Sequence, residues 1–375
     1  MEPFKNLISP QVVRDCAEHL SRAWPQFDRK TFERLGLNGL ERLEFKARAE
    51  HLCNALEATL PSDFAQAAAI LEASLAPAPR DASLDAQRTT PEGLAGWALW
   101  PLTTYIARHG LNEPRRALEA LHAMTQRFTA EFAIRPFIAQ HPQLAFAMLE
   151  RWTRDPSAHV RRLVSEGSRP RLPWGMRLPA LVADPSRALP LLAVLQDDPS
   201  EYVRRSVANH LNDIAKDHAD LVADWVARHL VDASAERRAL LRHASRTLIK
   251  SGHTPTLRAW GLAQRLRGGV QFELSKRRVA VGGSIELRVS LTSNSARRQS
   301  LAIDYVVHHV RANGRTSPKA FKGWTLTLDA GESRDLHKAH SLREVTTRRY
   351  HPGTHVIELR VNGRTEASTS FELRT

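Results

Sequence analysis

Residues 155–164 read DPSAHVRRLV, and residues 198–207, 43 positions later, read DPSEYVRRSV. A weaker copy of the pattern begins at Asp232. A period of about 40 to 47 residues is typical of HEAT and armadillo solenoids, in which each unit contributes a pair of amphipathic helices. Within each unit we expect the Asp to cap the second helix and the Pro to lie in its first turn.

The helical pattern extends from this repeat in both directions, as far as about residue 267. It is interrupted by residues 76–93, which are rich in Pro, Ala and Thr and predict a surface loop. From residue 268 the sequence alternates as in strands, with hairpin signals at Asn313-Gly314 and Asn362-Gly363. We therefore predict a mainly α protein: a HEAT-like helical-repeat solenoid in residues 1–267, followed by a small all-β immunoglobulin-like sandwich in residues 268–375.

The charge of the chain favours an anionic partner. There are 54 Lys and Arg residues against 40 Asp and Glu, which gives a net charge of +14. Residues 268–375 are the more basic by density, with 18 basic and 10 acidic residues. Nucleic acid and a membrane surface are the usual partners of such a protein. A genome rich in Arg codons would also explain the excess, so charge alone does not decide.

Several classes of protein are not expected. The N-terminus lacks a signal peptide, and no run of eighteen apolar residues predicts a membrane span. Cys16 and Cys53 are too few for a zinc cluster or a disulfide framework, and the 17 His residues show no ligand spacing. We predict no metal and no cofactor.

The paired arginines of the repeat are candidates for DNA contacts. Because the two copies share one register, Arg161 and Arg162 should project as Arg204 and Arg205 do, and could line one wall of the solenoid. The first Arg of each pair has an equally plausible structural role, in which it bonds the preceding Asp turn. The second, Arg162 or Arg205, is the better candidate for DNA.

Three acids stand out in segments near the repeat. Glu131 lies within the apolar segment FTAEFAIRPFI, and Glu166 precedes a loop that contains Arg169, Arg171 and Trp174. Asp213 follows Asn209 by four positions, so the two should share a helix face. Each has a structural alternative: Glu131 an ion pair with Arg135, Asp213 a helix hydrogen-bond network, Glu166 turn packing and Trp174 a role as a loop anchor.

Three segments, EFAIRPFI (131–138), HVRRLVSEGSRPRLPWG (159–175) and DPSEYVRRSVANHLNDIAKDH (198–218), resemble the AlkC branch of the AlkC/AlkD-type DNA alkylation repair glycosylases. The resemblance covers residues 1–265, and the C-terminal strands look like the immunoglobulin-like domain of one subset of that branch. We expect this domain to add DNA contacts through its basic loops, such as Arg297-Arg298 or Arg348-Arg349. The resemblance implies a bacterial, cytoplasmic, nucleoid-associated enzyme that wraps duplex DNA and releases 3-methyladenine and 3-methylcytosine without full base flipping. It also implies that Glu131 and Asp213 are the catalytic carboxylates. We expect Glu166 to join them and Trp174 to contact the lesion, and we expect DNA to be bound by Arg162, Arg205, Asn209, Arg169 and Arg171.

The chemistry of cationic bases agrees with this implication. A base methylated at N3 is a positively charged leaving group, so two acids suffice to stabilise an oxocarbenium-like sugar and to activate water. We expect the protein to be a monomer. We also expect a monofunctional enzyme, because we see no lysine within the acidic motifs to form a Schiff base. The alternative is a non-catalytic HEAT-repeat scaffold that binds nucleic acid or protein. A scaffold that only binds DNA has no need of carboxylates in its basic groove, because they repel phosphate. The acids therefore favour the enzyme over the scaffold.

Overall fold

The computed structural model of the chain describes residues 3–78, 87–345 and 349–374. These residues form two compact units, Met1–Asp217 and His218–Thr375. The fold class predicted from the sequence, helical repeats followed by a β-sandwich, is confirmed.

The first unit is helical. Its described residues form twelve α-helices: α1 Pro10–Ala23, α2 Arg29–Leu37, α3 Phe45–Thr59, α4 Phe64–Ala73, α5 Leu99–His109, α6 Pro114–Thr125, α7 Arg135–Gln140, α8 Pro142–Trp152, α9 Ala158–Gly167, α10 Pro179–Ala183, α11 Leu189–Leu195 and α12 Glu201–Ile214. The two copies of the repeat are the pairs α8–α9 and α11–α12, and α9 packs against the other three helices. Val160 and Val164 of α9 are fully buried, as are their equivalents Val203 and Val207 of α12.

The start of each repeat helix differs from the prediction. The N-cap residues of α9 and α12 are Ser157 and Ser200, and Pro156 lies before the cap rather than in the first turn. The carboxylates of Asp155 and Asp198 accept hydrogen bonds from the two serine amides, at 2.8 and 2.9 Å. Each Asp thus builds the turn that leads into the helix, because its side chain bonds the backbone two residues on.

The second unit combines four helices with eight strands in its described residues. These are α13 Ala219–Leu230, α14 Ala235–Ala244, α15 Arg246–Ser251, α16 Thr254–Ala259, β1 Gly268–Leu274, β2 Arg278–Ala280, β3 Ser284–Ser293, β4 Gln299–Val310, β5 Thr316–Leu328, β6 Ser333–Ser341, β7 Gly353–Val361 and β8 Arg364–Arg374. Strands therefore begin at residue 268, as the sequence pattern indicates. The compact unit nevertheless starts at His218, because the helices from Ala219 onward belong with the strands.

The strands form two sheets with a shared core. The sheet orders are β1-β3-β6 and β2-β8-β7-β4-β5, and all pairs are antiparallel except β2 with β8. Alternate residues of β3, β4, β7 and β8 are buried between the sheets, as expected of a sandwich. Both predicted hairpins are present. Asn362 and Gly363 have φ values of 49° and 76°, which fit a type I′ turn.

The predicted loop at 76–93 falls partly on residues 79–86, which lie outside the described part of the chain. Its two ends are joined by backbone hydrogen bonds, from the amide of Ala76 to the carbonyl of Leu94 (3.0 Å) and from the amide of Leu94 to the carbonyl of Ser74 (2.8 Å). Leu94 is fully buried. The segment is therefore anchored where it leaves and rejoins the helices.

Candidate active site

The first arginine of each repeat pair has a structural role. Arg161 donates to the carbonyl oxygen of Asp155 (2.8 Å), and Arg204 donates to the equivalent carbonyl of Asp198 (2.6 Å). Arg161 also forms two hydrogen bonds, of 2.6 and 3.0 Å, with the carboxylate of Asp198 in the following repeat. Arg161 and Arg204 therefore project alike and brace their turns, and Arg161 also connects the two repeats. The predicted equal projection is wrong for the second arginine of each copy, because Arg205 is exposed whereas Arg162 is held in ion pairs with acids.

The three predicted acids lie on neighbouring elements of the first unit. Glu131 lies in the turn that precedes α7, Glu166 near the end of α9 and Asp213 near the end of α12. Their exposed fractions are 7%, 6% and 2%. A carboxylate buried to this extent needs hydrogen-bonding or charged partners. The partners therefore determine what each acid can do.

Two arginines connect the three acids in a row. The guanidinium of Arg162 lies 3.1 Å from Oε2 of Glu131 and 3.6 Å from Oε1 of Glu166. The guanidinium of Arg169 lies 2.6 Å from Oε1 of Glu166 and 2.7 Å from Oδ2 of Asp213. The charges alternate in sign, which keeps the buried acids compensated. We call these five residues, Glu131, Arg162, Glu166, Arg169 and Asp213, the ion-pair row.

Glu166 and Asp213 each accept hydrogen bonds at both carboxylate oxygens, one from Arg169 and one from a residue outside the row. Oε1 of Glu166 accepts from Arg169, and Oε2 accepts from the hydroxyl of Ser206 at 2.6 Å. Oδ2 of Asp213 accepts from Arg169, and Oδ1 accepts from the ammonium of Lys216 at 2.8 Å. Sequence reasoning missed Lys216 as a neighbour of the acids, although its position three residues after Asp213 on the chain was available as a signal.

Glu131 is bound on one side only. Its Oε2 accepts from Arg162, which also donates to the hydroxyl of Thr129 and lies over the ring of Tyr202, 5.3 Å from the centroid. The partner of Glu131 is therefore Arg162 and not Arg135. Within the described residues Oε1 of Glu131 has no hydrogen-bond partner, so it is the oxygen of the row that can accept from a water or a substrate.

The electrostatics of the row keep its charges in place. Burial alone would raise the pKa of Glu166, but Arg162, Arg169 and the Ser206 hydroxyl outweigh it and hold the pKa below its usual value. Burial would lower the pKa of Arg162, but the carboxylates, Glu131 first, raise it. A carboxylate whose ionised form is stabilised in this way accepts protons poorly. Glu166 therefore suits an electrostatic role better than a role as a base.

Arg135 connects two segments of the candidate site. It is fully buried, and it donates from Nε to the carbonyl of Met176 (2.6 Å) and from Nη1 to the carbonyl of Gly167 (2.8 Å). Gly167 follows Glu166, and Met176 lies two residues after Trp174. Burial is the main cause that lowers the pKa of Arg135, to about 10, so the side chain stays charged at neutral pH. Arg135 thus holds the Trp174 loop against the end of α9.

Trp174 is presented to solvent at the tip of this loop. Its side chain is 74% exposed, and its backbone has a φ of 64°, in the left-handed region that is unusual for a bulky residue. The indole lies edge-on to the ring of Phe4, with 6.4 Å between the centroids. Such exposure does not fit the alternative of a buried loop anchor, and it leaves ring surface free for a ligand.

A cleft of about 800 Å³ opens beside Trp174, and no pattern in the sequence predicted it. Its walls come from separate segments of the first unit, so no local spacing of residues could indicate it. The signal that was available is the abundance of aromatic residues in those segments. The aromatic side chains that line the cleft, which we call the aromatic cleft, are Phe4, Phe45, Trp100, Phe132 and Trp174.

The residues predicted to bind DNA divide into two groups. Arg205 on α12 is exposed, and Asn209 on the same helix is half-buried. Arg171 lies near the surface, where it forms two 2.7 Å hydrogen bonds with Asp217. Arg162 and Arg169 instead belong to the ion-pair row. The structure therefore brings these last two to the acids and not to the surface.

The predicted basic loops of the sandwich are exposed where they are described. Arg297 and Arg298 lie between β3 and β4, and Arg298 forms an ion pair of 2.8 Å with Asp329. Arg349 is also exposed, whereas Arg348 lies outside the described residues.

Within the described ranges no group of three or more His, Cys, Asp and Glu side chains is placed to hold a metal ion. Cys16 and Cys53 are both buried, and burial is the main cause that raises the pKa of each thiol, to about 12. No helix in the same part of the chain is long and apolar enough to cross a membrane.

Comparisons with known proteins cover both parts of the chain. A family model described as "DNA alkylation repair enzyme" matches residues 125–248, the range that contains the whole ion-pair row. A model described as "Uncharacterised protein YhaZ, C-terminal Ig-like domain" matches residues 269–375.

Two similar proteins match over the full length. The chain is 33% identical over 383 residues to the protein named "Uncharacterized protein YhaZ" of Bacillus subtilis, with all of both chains covered. It is 34% identical to the alkylpurine DNA glycosylase AlkC of Pseudomonas fluorescens, solved bound to DNA containing an abasic site analogue. That comparison also covers all of both chains, with a TM-score of 0.90.

Proposed function

Because the chain belongs to the AlkC-type DNA alkylation repair glycosylases, we propose that it hydrolyses the N-glycosidic bond of cationic alkylated bases in duplex DNA. The proposed substrates are 3-methyladenine and 3-methylcytosine. The observation that carries the proposal is the ion-pair row, which brings together three carboxylates. Arg135 joins the end of the helix that carries Glu166 to the loop that presents the exposed Trp174.

The row suits the demands of this reaction. The C1′–N bond of a cationic base breaks readily, and positive charge then develops on the sugar. Fixed negative charges near the sugar stabilise that charge without having to reorganise during the reaction. The two arginines hold the three acids in fixed positions, and they lower the pKa of Glu166, so the carboxylates need not move to take this role.

The oxygens of the acids suggest how the work is divided. Glu131 has a carboxylate oxygen available for water, and we assign it the role of general base. Asp213 and Glu166 have both oxygens occupied, and we assign them the stabilisation of the sugar cation. Trp174 is proposed to contact the lesion by cation–π attraction, worth about 0.5–2 kcal/mol.

DNA contacts are proposed for the surface side chains. We propose that Arg205, Asn209 and Arg171 bind the phosphate backbone, and that exposed arginines of the sandwich add further contacts. The phosphate contacts predicted for Arg162 and Arg169 stay predictions, and their ion pairs favour a positioning role for both. We propose that the protein acts as a monomer on duplex DNA and does not fully flip the base.

The proposed reaction is monofunctional. The ammonium of Lys216 lies 2.8 Å from Oδ1 of Asp213. An amine engaged by a carboxylate is not free to attack C1′, so we propose that Lys216 forms no Schiff base. We expect the product to be an intact abasic site.

The test is base release from methylated duplex DNA by the full chain, with free bases separated and identified by mass. We expect 3-methyladenine and 3-methylcytosine to appear, with strands that break only on later alkali treatment. Borohydride should trap no covalent protein–DNA adduct. Trapping at Lys216 would contradict the monofunctional mechanism, and no base release would contradict the function itself.

A further inference from the structure

The aromatic cleft lies in the first unit, and its lining contains no residue of the ion-pair row. Phe132, which directly follows Glu131, forms part of its wall, and Trp174 stands at its edge. Arg135 fixes this edge, because it binds the carbonyl of Met176, another lining residue. One residue of the cleft wall, Phe132, is therefore next in the chain to Glu131, the proposed general base.

The walls of the cleft are suited to a planar ring. Phe45 and Trp100 meet edge-on with 5.0 Å between centroids, and Trp100 stacks on Phe132 at 5.8 Å. Phe4 continues the wall, 4.5 Å from Phe45, and is itself 52% exposed. Nucleobases stack on aromatic side chains whatever their sequence, because every base has a π-face.

The charges around the cleft favour an uncharged ligand. Lys5 and Glu44 pair with each other at 3.2 Å, and Glu50 is bound by Arg108 at 2.7 Å. Lys46 is exposed and adds a positive charge that would repel a cation. The carboxylates of the lining are thus already paired, and a planar neutral ring can stack on the aromatic side chains without leaving a charge unpaired.

We propose that the aromatic cleft receives the excised methylated base; this rests on the proposed glycosylase function. When the C1′–N bond breaks, its electron pair passes to the base and cancels the positive charge. The oxygen of water bonds to C1′, and its proton passes to Glu131 and then to solvent. The leaving base is therefore planar and neutral, which matches the lining of the cleft. Its removal into the cleft opposes re-formation of the bond.

The probe is free 3-methyladenine in its uncharged form, titrated into the full chain and followed by quenching of tryptophan fluorescence. The same base is tested as an inhibitor of excision. Phe4→Ala removes an exposed ring, and Ala107→Phe fills the cleft from α5 without deleting a core side chain. We expect each to weaken base binding about 5- to 100-fold. Phe146→Ala, a partly buried ring of the first unit outside the cleft, is the control and should change neither binding nor excision.

The outcomes separate this proposal from the function on which it rests. Excision by the wild type, with no binding of free base or with equal binding by both cleft variants, overturns the cleft proposal alone. Tighter binding of adenosine monophosphate than of the free base also overturns it, because the ligand would then carry a phosphate. Failure of the folded wild type to excise any base overturns the proposed function, and the cleft proposal with it.

Discussion

Replacement of Arg169 by methionine tests whether the ion-pair row is shielded from solvent, because the free energy of unfolding then depends on that arginine. The Arg169 side chain is 8% exposed and connects Glu166 to Asp213 with contacts of 2.6 and 2.7 Å. Loss of one partner from a buried ion pair costs about 3–5 kcal/mol, because the remaining charge stays desolvated. Arg162 and Lys216 still contact the two acids after the change, so we expect the loss of unfolding free energy to remain within this range.

The assay is urea unfolding of the full chain followed by tryptophan fluorescence. With an m-value of about 2.5 kcal/mol/M, the midpoint of the first unit should fall by about 1–2 M. The matched control is Arg171→Met, two residues later, which removes an equally short pair with Asp217 whose arginine side chain is 26% exposed. Solvent screens that pair, so we expect no resolvable shift. Equal midpoints for the two variants would refute the reasoning.

Three further predictions concern other features of the first unit. His210 is fully buried, and burial is the main cause that lowers its pKa to about 3. Below about pH 6.5 the protein therefore takes up a proton when it unfolds, and the free energy of unfolding should fall by up to about 1.4 kcal/mol for each unit by which the pH is lowered. If His210→Gln shows the same dependence of unfolding free energy on pH as the wild type, this prediction is wrong. Arg205→Ala should lower the slope of log affinity against log salt by about one, whereas Arg204→Ala should lower the melting temperature and leave that slope unchanged. Arg135→Met should displace Trp174 and reduce single-turnover excision by about 100-fold with DNA affinity retained, and wild-type excision would exclude a positioning role.

Local sequence signals were sufficient for the architecture. The 43-residue repeat and the change of period at residue 268 depend on near neighbours in the chain, and each appears in the structure as expected. The detail that was wrong, Asp155 as the helix cap, arose because Asp, Pro and Ser all favour helix starts. Only the backbone geometry shows that Ser157 occupies the cap. The limit of the second unit, at His218, depends on packing between helices and strands, which no local pattern records.

The sequence singled out the acids of the candidate site but did not predict their ion-pair partners. Glu131 was predicted as a site residue because it is an acid within an apolar segment, but its partner Arg162 lies 31 positions away in the sequence. Arg169 and Asp213 are 44 positions apart. In a helical repeat, residues so far apart in the sequence come into contact only because successive units stack on each other. For the same reason Arg162 and Arg169 were predicted to face DNA, although each is engaged by an acid. The aromatic cleft escaped prediction because its walls come from separate segments.

The most direct test of the central claim is single-turnover release of 3-methyladenine by the wild type, Glu131→Gln and Asp213→Asn, with the DNA affinity of each protein measured in parallel. We predict that Glu131→Gln, which removes the general base, slows excision by about 10²–10⁴-fold. Asp213→Asn, which removes a negative charge near the sugar, should slow it by about 10²–10³-fold. Both variants should bind DNA at least as tightly as the wild type, because each removes a negative charge. Excision at the wild-type rate by either folded variant would contradict the assignment of that acid, and full activity in both would contradict catalysis by the ion-pair row.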